Sequence, residues 1–217
     1  MSIKENIKQI KKELPKNIII VAATKTRSVD EIKQAIEAGI DIIGENYIQE
    51  AEAKSNELKG KVKLHCIGHI QTNKAKKAVE IFDMIETVDS IKLAKEIGKR
   101  CQSLNKIMPI LIEINSGKEP NKDGVMPEDA EQLIRDISTL KNIKVKGLMT
   151  MAPFFDNPEK DRPYFKLTKT LFDKIKALNP PNIDMEILSM GMSDSYKIAV
   201  EEGANMVRIG AKIFGKR

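Results

Sequence analysis

Short apolar runs alternate with longer amphipathic stretches along almost the whole chain. The runs are four to eight residues long and rich in Ile, Val, Leu and Met, which is typical of buried β-strands. The predicted strands are Ile18–Thr24, Asp41–Gly44, Lys63–Gly68, Met84–Thr87, Met108–Asn115, Val145–Thr150, Met185–Met190 and Asn205–Ile209.

Between these strands the apolar residues recur at helical spacing. An additional helix is predicted at Ile3–Leu14, before the first strand. The other predicted helices are Val29–Ala38, Ile48–Leu58, Asn73–Ile81, Ile91–Leu104, Pro127–Thr139, Tyr164–Leu178 and Asp194–Glu202. Regular alternation of strand and helix indicates a parallel sheet.

Eight strand–helix units of about 25 residues each favour a (β/α)8 (TIM) barrel, in which functional residues follow the strands. A doubly wound open sheet is the alternative, but it would have fewer and longer units in a chain of this length. The 217 residues lie in the range over which such barrels form one domain. We therefore predict a single (β/α)8 domain over residues 1–217, with an extra N-terminal helix.

Composition excludes several classes of protein. No apolar stretch approaches the roughly 18 residues of a transmembrane helix, and the charged segment Met1–Glu5 does not resemble a signal peptide. Cys66 and Cys101 form no Cys-x-x-Cys motif, so we expect reduced thiols. These features predict a cytoplasmic protein without a membrane partner.

The net charge of +6 raises the question of nucleic-acid binding. The lysines are, however, interleaved with acidic residues, as in Lys92–Arg100, which is the pattern of a solvated helix face. We therefore expect no nucleic-acid partner.

Lys25 follows the apolar, β-branched run Ile18–Ala23, which is a predicted buried strand. Its amine lies either at the surface just past the barrel mouth or partly desolvated inside it. Desolvation lowers the pKa of a lysine and leaves some of it neutral, the form that adds to an aldehyde. Lys25 is thus a candidate for covalent attachment of a carbonyl compound.

Candidate ligand contacts also follow the second and third strands. Asn46 either contacts a ligand at the same mouth or caps the next helix. His65 and His69 have a spacing that would place both rings on one metal ion if the segment were helical. On a strand, four residues span roughly 13 Å, whereas zinc ligands lie within about 2.1 Å of one ion. We therefore expect no metal site, and place His69 at the barrel mouth.

Small residues that can approach a phosphate follow the last two strands. They are Ser189, Gly191 and Ser193 after the seventh strand, and Gly210 and Ala211 after the eighth. These two loops commonly form the phosphate site of a (β/α)8 barrel, and a helix beginning near Asp194 would direct its positive end there. Ordinary loop chemistry is the alternative for these residues.

Arg208 lies inside the last strand, between Val207 and Ile209. A buried arginine requires a partner, and either a heteroaromatic nitrogen or a carboxylate would serve. Together with Lys25 and the two small-residue turns, it points to a phosphorylated ligand that carries an aldehyde.

Six sequence blocks extend this inference. They are Val21–Thr26, Gly44–Glu50, His65–Lys74, Gly147–Met151, Leu188–Asp194 and Met206–Gly210, in order through nearly the whole chain. Each block alone has little specificity, but the six together are highly specific. In this combination the chain resembles the pyridoxal phosphate homeostasis proteins of the YggS and PROSC type.

The resemblance implies a barrel like the N-terminal domain of alanine racemase, with pyridoxal 5′-phosphate (PLP) held as an internal aldimine on Lys25. It also implies a phosphate pocket at Ser189, Met190, Gly191 and the Gly210–Ala211 turn; Asn46 and Ser193 complete the predicted cofactor-binding set. Arg208 would face the pyridine nitrogen. A guanidinium donates to that nitrogen but does not readily protonate it, so the cofactor would be a weaker electron sink than one paired with aspartate.

Alanine racemases carry a second, β-rich domain that supplies a catalytic tyrosine, and we expect no such domain in a chain that ends at Arg217. The predicted function is therefore to bind PLP on Lys25 and to supply or buffer it, without catalytic turnover. We expect a monomer that passes PLP to apo PLP-dependent enzymes. A PLP-dependent amino-acid racemase and a lysine aldolase that uses Lys25 without a cofactor are the alternatives.

Overall fold

The eight strands found among residues 2–215, the part of the chain that this computed structural model describes, are all parallel and pair in chain order, with the last beside the first. They are β1 Ile19–Ala23, β2 Ile42–Glu45, β3 Lys63–Cys66, β4 Met84–Val88, β5 Met108–Ile114, β6 Ile143–Thr150, β7 Ile183–Ser189 and β8 Met206–Ile209. The predicted closed barrel is confirmed, and the open doubly wound sheet is wrong.

Helices follow every strand and surround the barrel. They are α1 Ile3–Glu13, α2 Val29–Glu37, α3 Ile48–Leu58, α4 Ala75–Ile81, α5 Ile91–Ser103, α6 Ala130–Ser138, α7 Arg162–Leu178, α8 Tyr196–Glu201 and α9 Ala211–Phe214. Single 3-10 turns at Thr72–Lys74 and Pro158–Asp161 precede α4 and α7. The extra helix before β1 is confirmed as α1.

Most predicted helices have ends that differ by one to three residues from the observed ones, and one short helix was not predicted. The helix predicted from Asp194 begins at Tyr196, because the N–H groups of Ser195 and Tyr196 both donate to Met192 O and form a turn first. The short helix α9 was not predicted, because four residues after a strand give no periodic signal.

Successive side chains along each strand point alternately into the barrel and toward the surrounding helices, and so belong to two different cores. Val21 packs with Ile67 and Met206 inside the barrel, whereas its neighbour Ala22 belongs to the larger core between barrel and helices. A second group inside the barrel is formed by Met84 and Leu111 with Met149. The amino-terminal part of the barrel interior is therefore filled with apolar side chains, as in other (β/α)8 barrels.

Toward the carboxyl ends of the strands the interior becomes polar. Four apolar inward-facing residues are each followed, two positions later, by a buried polar one. The pairs are Met84 and Glu86, Leu111 and Glu113, Ile187 and Ser189, and Met206 and Arg208. Since side chains two positions apart share one face of a strand, these polar groups form a layer just beneath the barrel mouth.

Cys66 and Cys101 are both buried and free, as expected. Burial is the main cause that raises the pKa of the Cys66 thiol to about 12, so this group is unreactive at neutral pH. None of the helices between residues 2 and 215 is long and apolar enough to cross a membrane.

Candidate functional site

Lys25 lies two residues beyond β1, half-buried, at the carboxyl end of the barrel. Val21 and Ala23 face the inside of the barrel, and alternate residues of a strand share one face, so this pattern continued by two positions reaches Lys25. Strand β8 runs alongside, with Val21 opposite Arg208. The turn after β8 comes so close that a Cβ added to Gly210 would lie 3.3 Å from Ala23 O. Lys25 and the Gly210 turn are thus neighbours at one edge of the barrel.

A hydrogen-bond clamp fixes the backbone on both sides of Lys25. On one side, the Thr24 N–H donates to Gly44 O over 2.9 Å, and Thr24 O accepts from Lys54 Nζ over 3.0 Å. On the other, the Thr26 N–H donates to a Glu50 carboxylate oxygen over 2.7 Å. Thr26 has a φ of 62°, a left-handed conformation that non-glycine residues seldom adopt and that is often found at functional sites.

Glu45 anchors this clamp from inside the protein. Its Oε1 accepts from Thr24 Oγ1 and from Lys54 Nζ, each over 2.7 Å, and its side chain is fully buried. Burial raises the pKa of Glu45 despite these two bonds, which act in the opposite direction. The turn that carries Lys25 is therefore held by a buried ion pair.

The turns after β7 and β8 meet through Ser193. Its hydroxyl oxygen accepts from the N–H groups of Gly210 at 3.3 Å and Lys212 at 3.2 Å. Two converging backbone N–H groups also suit an oxygen atom of an anion. The turn that begins α9 therefore presents two N–H groups to one oxygen atom, while the helix predicted from Asp194 begins at Tyr196.

Gly191 allows the turn after β7 to pack closely against α8. It has a φ of 87°, and an added Cβ would lie 2.5 Å from Ala199 Cβ and 2.9 Å from Tyr196 Cα. Its carbonyl accepts from the Arg208 N–H over 3.1 Å, while the Met190 N–H donates to Met206 O over 3.1 Å. Backbone pairing of β7 with β8 thus continues beyond Ser189.

A hydrogen-bonded chain crosses the polar layer of the barrel. Arg208 Nη1 donates to Ser189 Oγ over 2.6 Å, and Ser189 Oγ donates to Glu86 Oε2 over 2.8 Å. The other Glu86 oxygen contacts His65 Nδ1 at 2.8 Å. Arg208 Nη2 also donates to Thr150 O over 2.8 Å. Arg208 therefore has a fixed position beneath the mouth.

Several neighbouring groups set the charge balance of this layer. Burial alone would raise the pKa of Glu86, but the hydrogen bond and charge of His65, followed by Arg208 and Ser189, lower it overall. Burial lowers the pKa of Arg208, and the charges of Glu86 and Glu113 oppose that change. A guanidinium stays charged under these conditions, so Arg208 remains a donor.

The structure places the predicted site residues in two layers. Lys25, Asn46, Ser193, Gly210 and Ala211 lie at the mouth and are partly or largely exposed. Ser189, Met190, Gly191 and Arg208 lie beneath them and are buried. The Ser189 hydroxyl is already hydrogen-bonded to Glu86 and Arg208. The residue at the N-cap position of α3 is Tyr47 and not Asn46.

Two cavities flank this site at the same end of the barrel. One, of about 460 Å³, is lined by Asn46, Tyr47, Ile48, Gln49, Gly68, His69, Ile70, Gln71 and Lys74. The other, of about 250 Å³, is mostly apolar and is lined by Met151, Phe154, Phe155 and Met192, together with seven further residues. The loop after β6 supplies most of the lining of this second cavity.

Sequence analysis missed the acidic residues that hold the site. Glu86 and Glu113 each stand within an otherwise apolar strand, the same signal that singled out Arg208. Glu45 and Lys54 gave no such signal, because they are nine residues apart in sequence and meet only after α3 folds back.

Comparison with known proteins agrees with this geometry. The family model described as alanine racemase, N-terminal domain, matches residues 1–217. The chain is 40% identical over 199 residues to a pyridoxal phosphate homeostasis protein of Aquifex aeolicus, covering 91% of this chain and 86% of that one. A protein of the same name from Vibrio alginolyticus is 33% identical and covers 100% and 98%.

Solved structures give the same result. PipY of Synechococcus elongatus, solved with PLP bound, superimposes with a TM-score of 0.90 at 31% identity, covering 99% of this chain and 100% of that one. An alanine racemase of Clostridium difficile shares the fold, with a TM-score of 0.80 at 19% identity, and this chain covers 57% of it. The chain therefore belongs to the family of pyridoxal phosphate homeostasis proteins, which are built on the alanine racemase N-terminal barrel.

Proposed function

We propose that this chain binds PLP through Lys25 and controls the level of free PLP in the cytoplasm by holding and releasing it. One observation carries the proposal: the pairing of β1 with β8 puts a clamped lysine, a fixed arginine and two converging backbone N–H groups at one edge of the barrel. An amine, a cationic donor and an anion cradle match the aldehyde, the pyridine nitrogen and the phosphate of PLP.

The residues present fit this cofactor. The Ser193 hydroxyl oxygen already stands where a phosphate oxygen would accept from Gly210 and Lys212. If the Ser193 side chain turns aside, its hydroxyl can donate a further hydrogen bond to the phosphate. Gly210 leaves room beside Ala23 for a bound group that a larger residue would crowd.

Each residue has a distinct task in this proposal. When bound, PLP supplies a reactive aldehyde, and Lys25 provides the amine that bonds to it. The hydrogen bonds of Thr24 and Thr26 fix the backbone from which the Lys25 side chain extends. Arg208, held by Ser189 and Thr150, donates a hydrogen bond toward the ring nitrogen but keeps its own proton.

The arrangement favours binding over amino-acid racemisation. Tyr196, a tyrosine next to the phosphate turns, is buried and donates its hydroxyl to Glu13. Burial and then the Glu13 carboxylate raise the pKa of its phenol, so it is poorly suited to exchange protons at neutral pH. We infer a monomeric carrier that releases PLP to apo PLP-dependent enzymes.

Absorbance and reduction test the proposal. Purified chain mixed with PLP should become yellow, and borohydride should fix the cofactor to the peptide that contains Lys25. Lys25→Ala should lose the adduct, while Lys16→Ala, an exposed lysine before β1, should keep it. A native chain that stays colourless with PLP, or an adduct that persists in Lys25→Ala, would overturn the assignment of Lys25.

Two further measurements distinguish a carrier from an enzyme. Loaded chain should restore activity to an apo-aminotransferase, with a yield that follows the amount of PLP released. With amino acids in deuterium oxide, it should exchange the α-hydrogen no faster than free PLP does. Rapid exchange that depends on Lys25 would favour the racemase, and trapping of a sugar phosphate by borohydride without PLP would favour the aldolase.

A further inference from the structure

We propose that His69, Asp89 and Asp123 form a binding site for a divalent first-row cation at the barrel mouth. The site lies at the carboxyl ends of β3, β4 and β5, whereas the proposed PLP site lies at those of β1, β7 and β8. It uses neither Lys25 nor Arg208. The two proposals use different ligand residues and can fail separately.

Geometry gives the first support. His69 Nδ1 lies 3.2 Å from Asp123 Oδ1 and 3.8 Å from Asp89 Oδ2, and one ligand atom from each of the three residues lies within 4.8 Å of the others. Atoms bonded to one ion at about 2.1 Å are separated by roughly 3.0 Å in octahedral and 3.4 Å in tetrahedral geometry. Small side-chain rotations would therefore bring all three atoms onto one cation.

The backbone holds these residues in place. Gly68 O, just before His69, accepts from Thr87 Oγ1 over 2.7 Å, which ties the end of β3 to the end of β4. Asp89 comes directly after β4. Asp123 precedes Val125, whose N–H donates to Glu113 O over 2.9 Å, so this loop is attached to β5. The three residues thus follow three different strands whose ends are tied to one another or to the loop that carries Asp123.

A buried carboxylate gives the second, independent support. Glu113 is 3% exposed, and its Oε2 has no hydrogen-bond partner among the described residues. Burial raises the pKa of Glu113 to about 7; Arg208 opposes this, whereas the charges of Asp123 and Asp89 add to it. Glu113, Asp89 and Asp123 therefore lie in electrostatic reach of one another and of Arg208, and a bound cation would reduce the repulsion among the three carboxylates.

Two lysines of the neighbouring loop are paired with other acids. Lys118 pairs with Glu128 at 3.0 Å, and Lys122 pairs with Glu119 at 2.5 Å. A cation from solution has access, because His69 and Asp89 line an open polar cavity of about 370 Å³. One imidazole with two carboxylates suits Mn²⁺ or Zn²⁺ better than Mg²⁺ or Ca²⁺, which prefer oxygen alone.

Direct titration with Mn²⁺ tests the site. Chelator-treated full-length chain, with and without PLP, should bind one Mn²⁺ per chain by electron paramagnetic resonance, and Zn²⁺ should compete. Asp89→Asn and Asp123→Asn should each weaken binding by at least about tenfold. Asp156→Asn is the matched control, because Asp156 is an exposed acid in the loop after β6. It should bind Mn²⁺ like the native chain.

Proton NMR gives a second readout, since the chain has two histidines, His65 and His69. Bound Mn²⁺ should broaden the His69 ring signals first, and His69→Gln identifies them. Binding that is not saturable at one ion per chain, or that survives both aspartate substitutions, would overturn the proposal. So would broadening that spares His69. Circular dichroism of each variant shows whether it is folded.

Discussion

Arg208 Nη1 and Ser189 Oγ lie 2.6 Å apart inside the barrel, on neighbouring strands. The Ser189 hydroxyl in turn donates to Glu86, so one hydroxyl connects a buried cation with a buried anion. The two residues are 19 positions apart, and both belong to the inward-facing series just beneath the mouth. A cofactor that contacts Arg208 would therefore depend on Ser189 even without touching it.

Ser189→Ala should weaken both the fold and the proposed PLP site. The substitution leaves one oxygen of Glu86 and one N–H of Arg208 without this partner, at a cost of about 1–3 kcal/mol. Urea unfolding measures the free energy, and titration with PLP measures the affinity. Ser103→Ala is the control, because that exposed hydroxyl bonds only to the carbonyls of its own helix. Equal stability of the two variants would contradict a linking role for Ser189.

Glu113 predicts a specific pH dependence of stability. Its pKa is about 7 in the folded chain and 4.5 in its ordinary state, mainly because it is buried. Between these values the folded state holds a proton that the unfolded state has lost, so the contribution of Glu113 to stability falls as pH rises. The loss amounts to about 3 kcal/mol by pH 8.

Glu113→Gln should remove this dependence. In chelator-treated protein, the unfolding free energy of the variant relative to the native chain should increase from pH 5 to about pH 7 and level off by pH 8. A pH-independent effect of the substitution changes this difference by the same amount at pH 5 and at pH 8. A difference that stays constant over this range would show that Glu113 does not titrate within it.

Gly191→Ala should destabilise the turn after β7 for two separable reasons. The residue has a φ of 87°, and its new Cβ would collide with Ala199 and Tyr196. Gly60→Ala is a matched control, because Gly60 has a φ of 75° but nothing within 4 Å of an added Cβ. The left-handed conformation alone should cost about 1 kcal/mol in Gly60→Ala. We expect about 3 kcal/mol in Gly191→Ala by urea unfolding; similar losses in both would show that the turn relaxes around the new methyl group.

Ser193→Ala should affect the phosphate and not the ring of PLP. Loss of one hydrogen bond to a charged group corresponds to about 1.5–3 kcal/mol, or roughly 10- to 100-fold in affinity. Pyridoxal, which has no phosphate, provides the control ligand for the same variant. Its affinity should be unchanged, whereas parallel losses for pyridoxal and PLP would mean that Ser193 acts on the fold of the turns.

Periodicity along the chain was enough to predict eight strand–helix units and to favour the barrel over an open sheet. Eight short apolar runs separated by amphipathic helices leave few other arrangements, because parallel strands require helical crossovers and the runs are too short and too many for an open sheet. Position in that pattern also marked Lys25 at a strand end, Arg208 within a strand, and the small residues after β7 and β8. These signals are local, since each depends on one residue and its immediate neighbours.

Tertiary structure alone decided which groups meet. Lys54 reaches Glu45 only because α3 folds back over β2, and Ser193 reaches Gly210 only because β7 and β8 are adjacent. The cluster of His69, Asp89 and Asp123 draws on three strand ends spread over 54 positions, so no spacing rule could reveal it. Hydrogen bonds and charges act over a few ångströms in space. The separation of two residues in sequence gives their distance in space only when both lie in the same helix or strand.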